Sequence, residues 1–428
     1  MTIRIRTRDK TKTNGLGDRL AIILGFLLLL TALSGRISVS LVEVSFSSLE
    51  SLQNSSFKTS PTQCTRADLL KIRSHLDPST CLGPPYLQKC SITQATKCPD
   101  PGNWLEEYYT ELQQEYITAT VAGNDDDEPF VGLSVGCNKG FDALNTLRMG
   151  TFNSKLRKTA WGRSMNPDGK LHGSVCGQNV VPPFEVHDDV KKIRKGEVHC
   201  FEPMPSTYKQ LNHSAKDLGY DQYGFKVVHG AVSKEEGKAL FFSDATPGVE
   251  NQGLSNCQRS PEACEEVDVL SLNTYSRKNL GGDGPIHILQ IDVEGYDGDV
   301  LLGAGKEVLE RVEYLEFEYN WMGSWKEQHL YDIVQMLDET NFTCYWAGVQ
   351  RLWRITNCWM LFYDIHTWSN VACVNRERVP RLATKMEAVF QETLKEEKSL
   401  PYFRESKHEA LSTDQKKMTS FFLSKTSN

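Results

Sequence analysis

A glycine pair and one carboxylate carry the first chemical signal in this sequence. Phe130–Val135 is a short apolar run that ends in Gly136-Cys137-Asn138-Lys139-Gly140, and Phe141, Leu144 and Leu147 then open a helix. Gly136 and Gly140 allow a sharp turn and a close approach of backbone to ligand. Glu202 closes the next strand candidate, Glu197–Phe201, and is placed to accept from the two hydroxyls of a ribose. A dinucleotide fold favours Gly-x-Gly-x-x-Gly, which cradles a pyrophosphate at a helix N-terminus. The wider spacing here favours a nucleoside ligand without a pyrophosphate. A tight structural turn would also use two glycines; the acid at the end of the following strand makes the pattern more specific.

Other constellations are weaker. Asp125-Asp126-Asp127-Glu128 contains an Asp-x-Asp, which in a Golgi-type glycosyltransferase would hold Mn²⁺ and a nucleotide sugar. The plainer reading is a solvated acidic turn. No His-x-x-x-His spacing occurs, and nothing points to hydrolase chemistry. No metal is expected.

Helices and strands alternate around these residues. Trp104, Tyr108, Leu112 and Tyr116 recur every four residues and predict an amphipathic helix. Strands are predicted at 130–135, 197–201, 225–228, 286–293 and 312–319, with closing strands at Thr343–Ala347, Cys358–Tyr363 and Asn370–Val374. Helical spacing follows through Tyr208, Leu211, Ala215 and Leu218, through Val300, Leu301, Val308 and Leu309, and through Leu330, Ile333, Val334 and Leu337. Such alternation implies βαβ units, an α/β fold and a mostly parallel sheet. Ligands of such sheets lie beyond the carboxyl ends of the strands, at the switch point, and the loop at 136–140 is that location.

Composition bounds the function. The 428 residues are 39% hydrophobic and 24% charged, which excludes a wholly disordered, collagen-like or polytopic membrane protein. A net charge of −7 offers no nucleic-acid footprint. Twelve cysteines in no Cys-x-x-Cys spacing give a structural zinc site little support.

The ends read as targeting and connection. Residues 1–19 are basic and form a cytosolic tail; residues 20–36 are a signal-anchor or a signal peptide cut after Ser34; 37–102 are a Ser-rich, Cys-containing stem. The organised domain spans 103–378, with an insertion at 151–193, and 379–428 is a charged tail. This organisation predicts a single-pass type II protein of the Golgi or endoplasmic-reticulum lumen, or a secreted one if the segment is cleaved. In that lumen Cys64, Cys81, Cys90 and Cys98 would form two disulfides, with three connectivities open, and Asn54, Asn212 and Asn341 would be glycosylation acceptors.

Three segments in order resemble one family. Val135-Gly136-Cys137-Asn138-Lys139-Gly140, Phe201-Glu202-Pro203-Met204-Pro205 and Ile291-Asp292-Val293-Glu294-Gly295-Tyr296 look like those of the FkbM-type S-adenosylmethionine-dependent methyltransferases. The likeness continues through Gly230-Ala231-Val232-Ser233 and the Glu316/Glu318 strand, and covers about residues 125–375. It departs at Ser134, Cys137, Gln290 and Asn273, where Asp, Ala, Lys and Asp are common.

The resemblance implies a Rossmann-like methyltransferase sheet with helices on both faces. It implies S-adenosyl-L-methionine as cofactor, held by Gly136, Asn138, Gly140, Glu202 and Ala231. The reaction implied is methyl transfer to a hydroxyl oxygen, with Asp292 as base and Glu294 or His229 as further candidates. With the targeting segment, the acceptor becomes a glycan or secreted polysaccharide. Lys155, Arg157, Lys158, Arg163 and Lys170 on the inserted stretch suggest an anionic one, gathered by a basic lid over the site. A glycosyltransferase using Asp125 and Asp127, and a non-catalytic binding protein that keeps the fold, are the alternatives.

Overall fold

The computed structural model describes residues 60–81, 90–96, 104–123, 128–167, 169, 184–243, 246–249, 257 and 263–396. The expected anchor, Asn54, Asp125–Asp127, Cys98, the middle of the 151–193 stretch and the end of the tail lie outside them. Among the described residues no helix is long and apolar enough to cross a membrane.

Eleven strands are formed among the described residues: β1 (Phe130–Val135), β2 (Gly196–Glu202), β3 (Phe225–His229), β4 (Ala231–Val232), β5 (Gly237–Phe242), β6 (Cys264–Leu270), β7 (Ile286–Ile291), β8 (Val312–Tyr319), β9 (Phe342–Gly348), β10 (Arg351–Arg354) and β11 (Ser369–Asn375). Eight of them build one sheet in the order β10-β9-β11-β8-β7-β1-β2-β3. From β3 to β8 the neighbours are parallel. β11 runs antiparallel between β8 and β9, and β10 is the hairpin partner of β9. The order reverses between β1 and β7, which makes their carboxyl ends the switch point. β4, β6 and β5 form a small separate sheet.

Helices cover both faces. They are α1 (Arg66–His75), α2 (Ser91–Thr96), α3 (Leu105–Val121), α4 (Phe141–Thr151), α5 (Lys158–Met165), α6 (Pro205–Asp217), α7 (Leu272–Asn279), α8 (Asp297–Leu309), α9 (Leu330–Glu339) and α10 (Pro380–Lys395). Ser134, Gln290 and Glu316 are in register on one face. There α4 packs, with the Thr146 hydroxyl 3.0 Å from Gln290 Oε1. Trp104, ahead of α3, donates to the Tyr314 hydroxyl at 3.0 Å on the same face. Phe201, Val135, Ile291 and Phe317 line the opposite face, where Tyr275 of α7 meets Phe201 edge to face at 4.7 Å.

Several expectations are corrected. The tail holds α10, whose Leu382, Ala383, Met386 and Phe390 are buried. Two turns of apolar residues at i, i+4 spacing supply that face. The stem, from residue 60, packs on the same core: His75 of α1 accepts from the Trp353 indole at 3.2 Å and approaches the Glu396 carbonyl at 3.0 Å. Cys358–Tyr363 is no strand. It turns through a short 3₁₀ segment, and Cys358 is bonded to Cys64. Cys64 therefore pairs across 294 residues rather than within the stem, where Cys81 pairs with Cys90. Among the described residues the other pairs are Cys137–Cys200, Cys257–Cys264 and Cys344–Cys373. Asn212 and Asn341 are half-buried, and Asn341 Nδ2 donates to Glu377 at 3.1 Å.

Candidate active site

The loop after β1 is set by its backbone. Gly136, Asn138 and Gly140 take φ of +79°, +46° and +71°, the left-handed region that glycine and asparagine tolerate best. The N–H groups of Gly136 and Cys137 both donate to the Phe201 carbonyl, at 3.1 and 2.9 Å. Asn138 N–H donates to Glu202 Oε2 at 2.8 Å, and Met204 N–H to Oε1 at 2.8 Å. The loop's amides thus bind the protein itself, which fits a ligand that brings no pyrophosphate.

Glu202 is nearly buried, at 4% exposure. Burial pushes its carboxyl up to about 7, against the pull of the two backbone donors. Each oxygen holds one N–H and keeps a second acceptor direction. Beside it, Asn138 Oδ1 is buried without a hydrogen-bond partner. These groups fit the hydroxyls of a nucleoside ribose.

Gly140 has a second reason to be glycine. A Cβ there would stand 2.8 Å from Leu211 and 2.9 Å from Trp161, so the residue is a packing point under the loop. Trp161 of α5 is buried and donates to the Lys139 carbonyl at 2.8 Å. Part of the inserted stretch therefore supports the loop from below.

Asp292 follows β7 directly, and its N–H donates to the Val135 carbonyl at 2.9 Å. Its side chain is exposed, yet desolvation holds its carboxyl well above the usual range. Glu318, Glu294, Asp297 and Asp142 add to the effect. Glu294 stands at φ +55°, a sparse conformation for a residue with a side chain. Asp297 is structural: its oxygens accept from the N–H groups of Gly295 and Glu318, both at 3.3 Å. It pins the Asp292–Tyr296 turn to β8.

The sequence reading assigns no site role to four residues near Asp292, although the resemblance includes the Glu316/Glu318 strand. Glu318 accepts from the Trp368 indole and from Asn320 Nδ2, the latter at 2.9 Å. Its carboxyl is raised by burial and by Asp297 and Glu294. Glu316 is raised by burial, offset by the Tyr314 hydroxyl that donates to it. Asp142, at the start of α4, is raised by burial and lowered by Lys158 and Lys139. Strand register could have found Glu316 and Glu318, because alternate residues of β8 share the face of Gln290. Trp368 precedes β11, predicted as a closing strand at Asn370–Val374, whose antiparallel place between β8 and β9 was not legible.

One predicted residue, His229, sits elsewhere, while Ala231 stays near Glu202. His229 is in register with Glu202, on β3, three strand spacings from β7, roughly 14 Å at about 4.8 Å each. It stacks on Tyr208 at 4.3 Å and its Nε2 lies 3.3 Å from the Pro203 carbonyl. It cannot share a proton with Asp292. Ala231, on β4, packs against the cluster of Met204, Phe241 and Val267, at the Glu202 end of the cleft.

The reading that nothing points to hydrolase chemistry needs one correction: Ser134 lies within Gly132-Leu133-Ser134-Val135-Gly136, the spacing of a hydrolase nucleophile elbow. It is buried inside β1, in register with Cys200 and Gln290, rather than exposed on a turn. Among the described residues no group of three His, Cys, Asp or Glu side chains could hold a metal ion.

No curated protein matches the chain. A solved structure from Pyrococcus horikoshii, assigned as an RNA methyltransferase, is similar at 11% identity over 63% of this chain and 84% of its own. Its TM-score of 0.23 is too low to carry an argument. Residues 176–344 match the family model of the methyltransferase FkbM domain.

Proposed function

We propose that the protein is an S-adenosylmethionine-dependent O-methyltransferase whose acceptor is a sugar hydroxyl of a glycan in the secretory pathway. One observation carries the reading. The Glu202-anchored loop and the Asp292 carboxylate are joined across β1 at the switch point, through Asn138 N–H to Glu202 and Asp292 N–H to Val135. Five disulfides among the described residues fit an oxidising compartment.

The residues divide the work. Glu202 and Asn138 face the ribose end. Ala231, on the outer side of Glu202, borders the nucleoside. S-adenosylmethionine, when bound, supplies an electrophilic methyl group. Asp292 takes the acceptor's hydroxyl proton, and its raised affinity for protons makes it a stronger base than an ordinary carboxylate. Alignment of donor and hydroxyl by a fixed cleft supplies several kcal/mol of barrier lowering.

The cleft's charge bears on the acceptor. Glu318, Glu294, Asp297 and Asp142 act on Asp292, so carboxyls rather than cations surround the proposed base. Of the basic residues expected to gather an anionic acceptor, Lys155 lies over the Tyr223 ring at 5.5 Å and only Lys158 acts on a cleft carboxylate, Asp142. Lys170 lies outside the described residues. A neutral sugar therefore fits better than a sulfated or carboxylated one.

Methyl transfer from tritiated S-adenosylmethionine to neutral and to sulfated oligosaccharides tests this. Label on neutral acceptors, weaker on sulfated ones, is expected. Label on neither, from protein that binds the donor, would remove the acceptor assignment. The glycosyltransferase reading rests on Asp125 and Asp127, outside the described residues, and nothing described favours it.

A further inference from the structure

We propose that the Cys137–Cys200 disulfide is a positioning device for the methyl-donor loop, so that donor affinity depends on this bond. The inference rests on the reading of the 136–140 loop as the donor site.

The bond joins the loop to β2. Cys137 stands between Gly136 and Asn138, both in the left-handed region, and Cys200 lies two residues before Glu202. The same short stretch thus holds the covalent tie and the carboxylate that accepts from Asn138. Both cysteines are buried, at 9% and 0% exposure.

The loop needs such a tie for a topological reason. In a compact βαβ unit the short connection itself holds the first loop beside the second strand. Here Cys137 and Cys200 are 63 residues apart in sequence, and the connection includes the whole inserted stretch. Closing a long connection costs more chain entropy than closing a short one. Two glycines in the loop add conformational freedom that must be frozen before a ligand is met. Without the bond, the loop is held by non-covalent contacts: the backbone bonds to Phe201, the Asn138–Glu202 bond and the Trp161 indole on the Lys139 carbonyl. A loop that is ordered for only part of the time binds in proportion to its ordered fraction. Cys344–Cys373 ties two strands already in register far from this loop, and serves as the control.

The test is isothermal titration of S-adenosylmethionine, with steady-state methyl transfer, on the full chain and on the double variants C137A/C200A and C344A/C373A. The expected result is about a tenfold rise in donor Kd and KM for C137A/C200A, with acceptor KM and saturated kcat little changed. C344A/C373A should lose thermal stability and keep its donor affinity. Equal donor affinity in C137A/C200A and wild type, whatever the change in Tm, overturns the proposal.

If C137A/C200A does not fold, the wild-type chain still decides. Binding is reciprocal, so donor should slow reduction of this bond by dithiothreitol. In that exchange the dithiol gives two electrons and two protons, and leaves as its own cyclic disulfide. Alkylation and peptide mapping should show slower appearance of free Cys137 and Cys200 with donor present, and no change at Cys81 and Cys90. An unchanged rate at Cys137 and Cys200 overturns the proposal. Intact, fully oxidised wild type that binds no donor overturns the donor-site reading itself, and the proposal falls with it.

Discussion

Gly136 and Asp292 meet backbone to backbone: a Cβ on Gly136 would stand 1.8 Å from the Asp292 carbonyl oxygen. The turn after β1 and the turn after β7 are therefore one packed unit, with the proposed donor loop on one side and the proposed base on the other. Gly136 also sits at φ +79°, where any side chain is strained.

Gly136→Ala should consequently abolish donor binding, because the loop, the Asp292 turn or both must move by more than an ångström. A fold that survives, shown by an unchanged circular dichroism spectrum, with no heat of S-adenosylmethionine binding, is the expected outcome. Normal binding would mean the two turns are not coupled.

Much of this was legible in the sequence. The five parallel strands were marked by short apolar runs, and Glu202 and Asp292 by acids closing those runs. Long-range pairings were not legible. Cys64 bonds Cys358 because the chain folds its N-terminal segment back over β10, which no local spacing records. β10 itself is four residues, Arg-Leu-Trp-Arg, too short to show alternation. His229 was misplaced for a similar reason: it closes a strand as Asp292 does, but on the far side of β1 and β2. Sequence order alone does not tell which strand ends are neighbours.

Asp292→Asn should lower kcat by roughly 10²–10⁴-fold, the range for loss of a general base, with little change in donor Kd. The same substitution removes a carboxylate that folding desolvates, so Tm at pH 8 should rise or hold. A kcat within a fewfold of wild type would transfer the base to another group.

Stability should fall as pH rises. Glu202, Asp297 and Glu313 are pushed up to about 7, mainly by burial, and Asp292 is raised as well. In the unfolded chain such groups ionise near 4. Between about 4 and about 7 the unfolded chain loses protons that the folded one keeps, so alkali favours unfolding there. Their contribution is full below the unfolded value and is lost through the folded one. Thermal melts from pH 5 to pH 8 should show a declining Tm, and a flat or rising profile would contradict these shifts.

Glu318 helps hold the Asp292 proton through like charge. Glu318→Gln keeps one acceptor oxygen, for Trp368 or for Asn320, and removes that charge. The acid limb of the kcat/KM profile should move to lower pH. An unmoved limb would show that Asp292 does not titrate in that limb.

The most direct test of the account is calorimetric titration of S-adenosylmethionine into the disulfide-intact protein and into Glu202→Ala. Binding at one site per chain is predicted for the wild type. The variant should lose at least about 1.5–3 kcal/mol of it, the worth of hydrogen bonds to a charged group. Folded wild type that binds no S-adenosylmethionine, or a variant that binds it equally well, would contradict the assignment of this cleft.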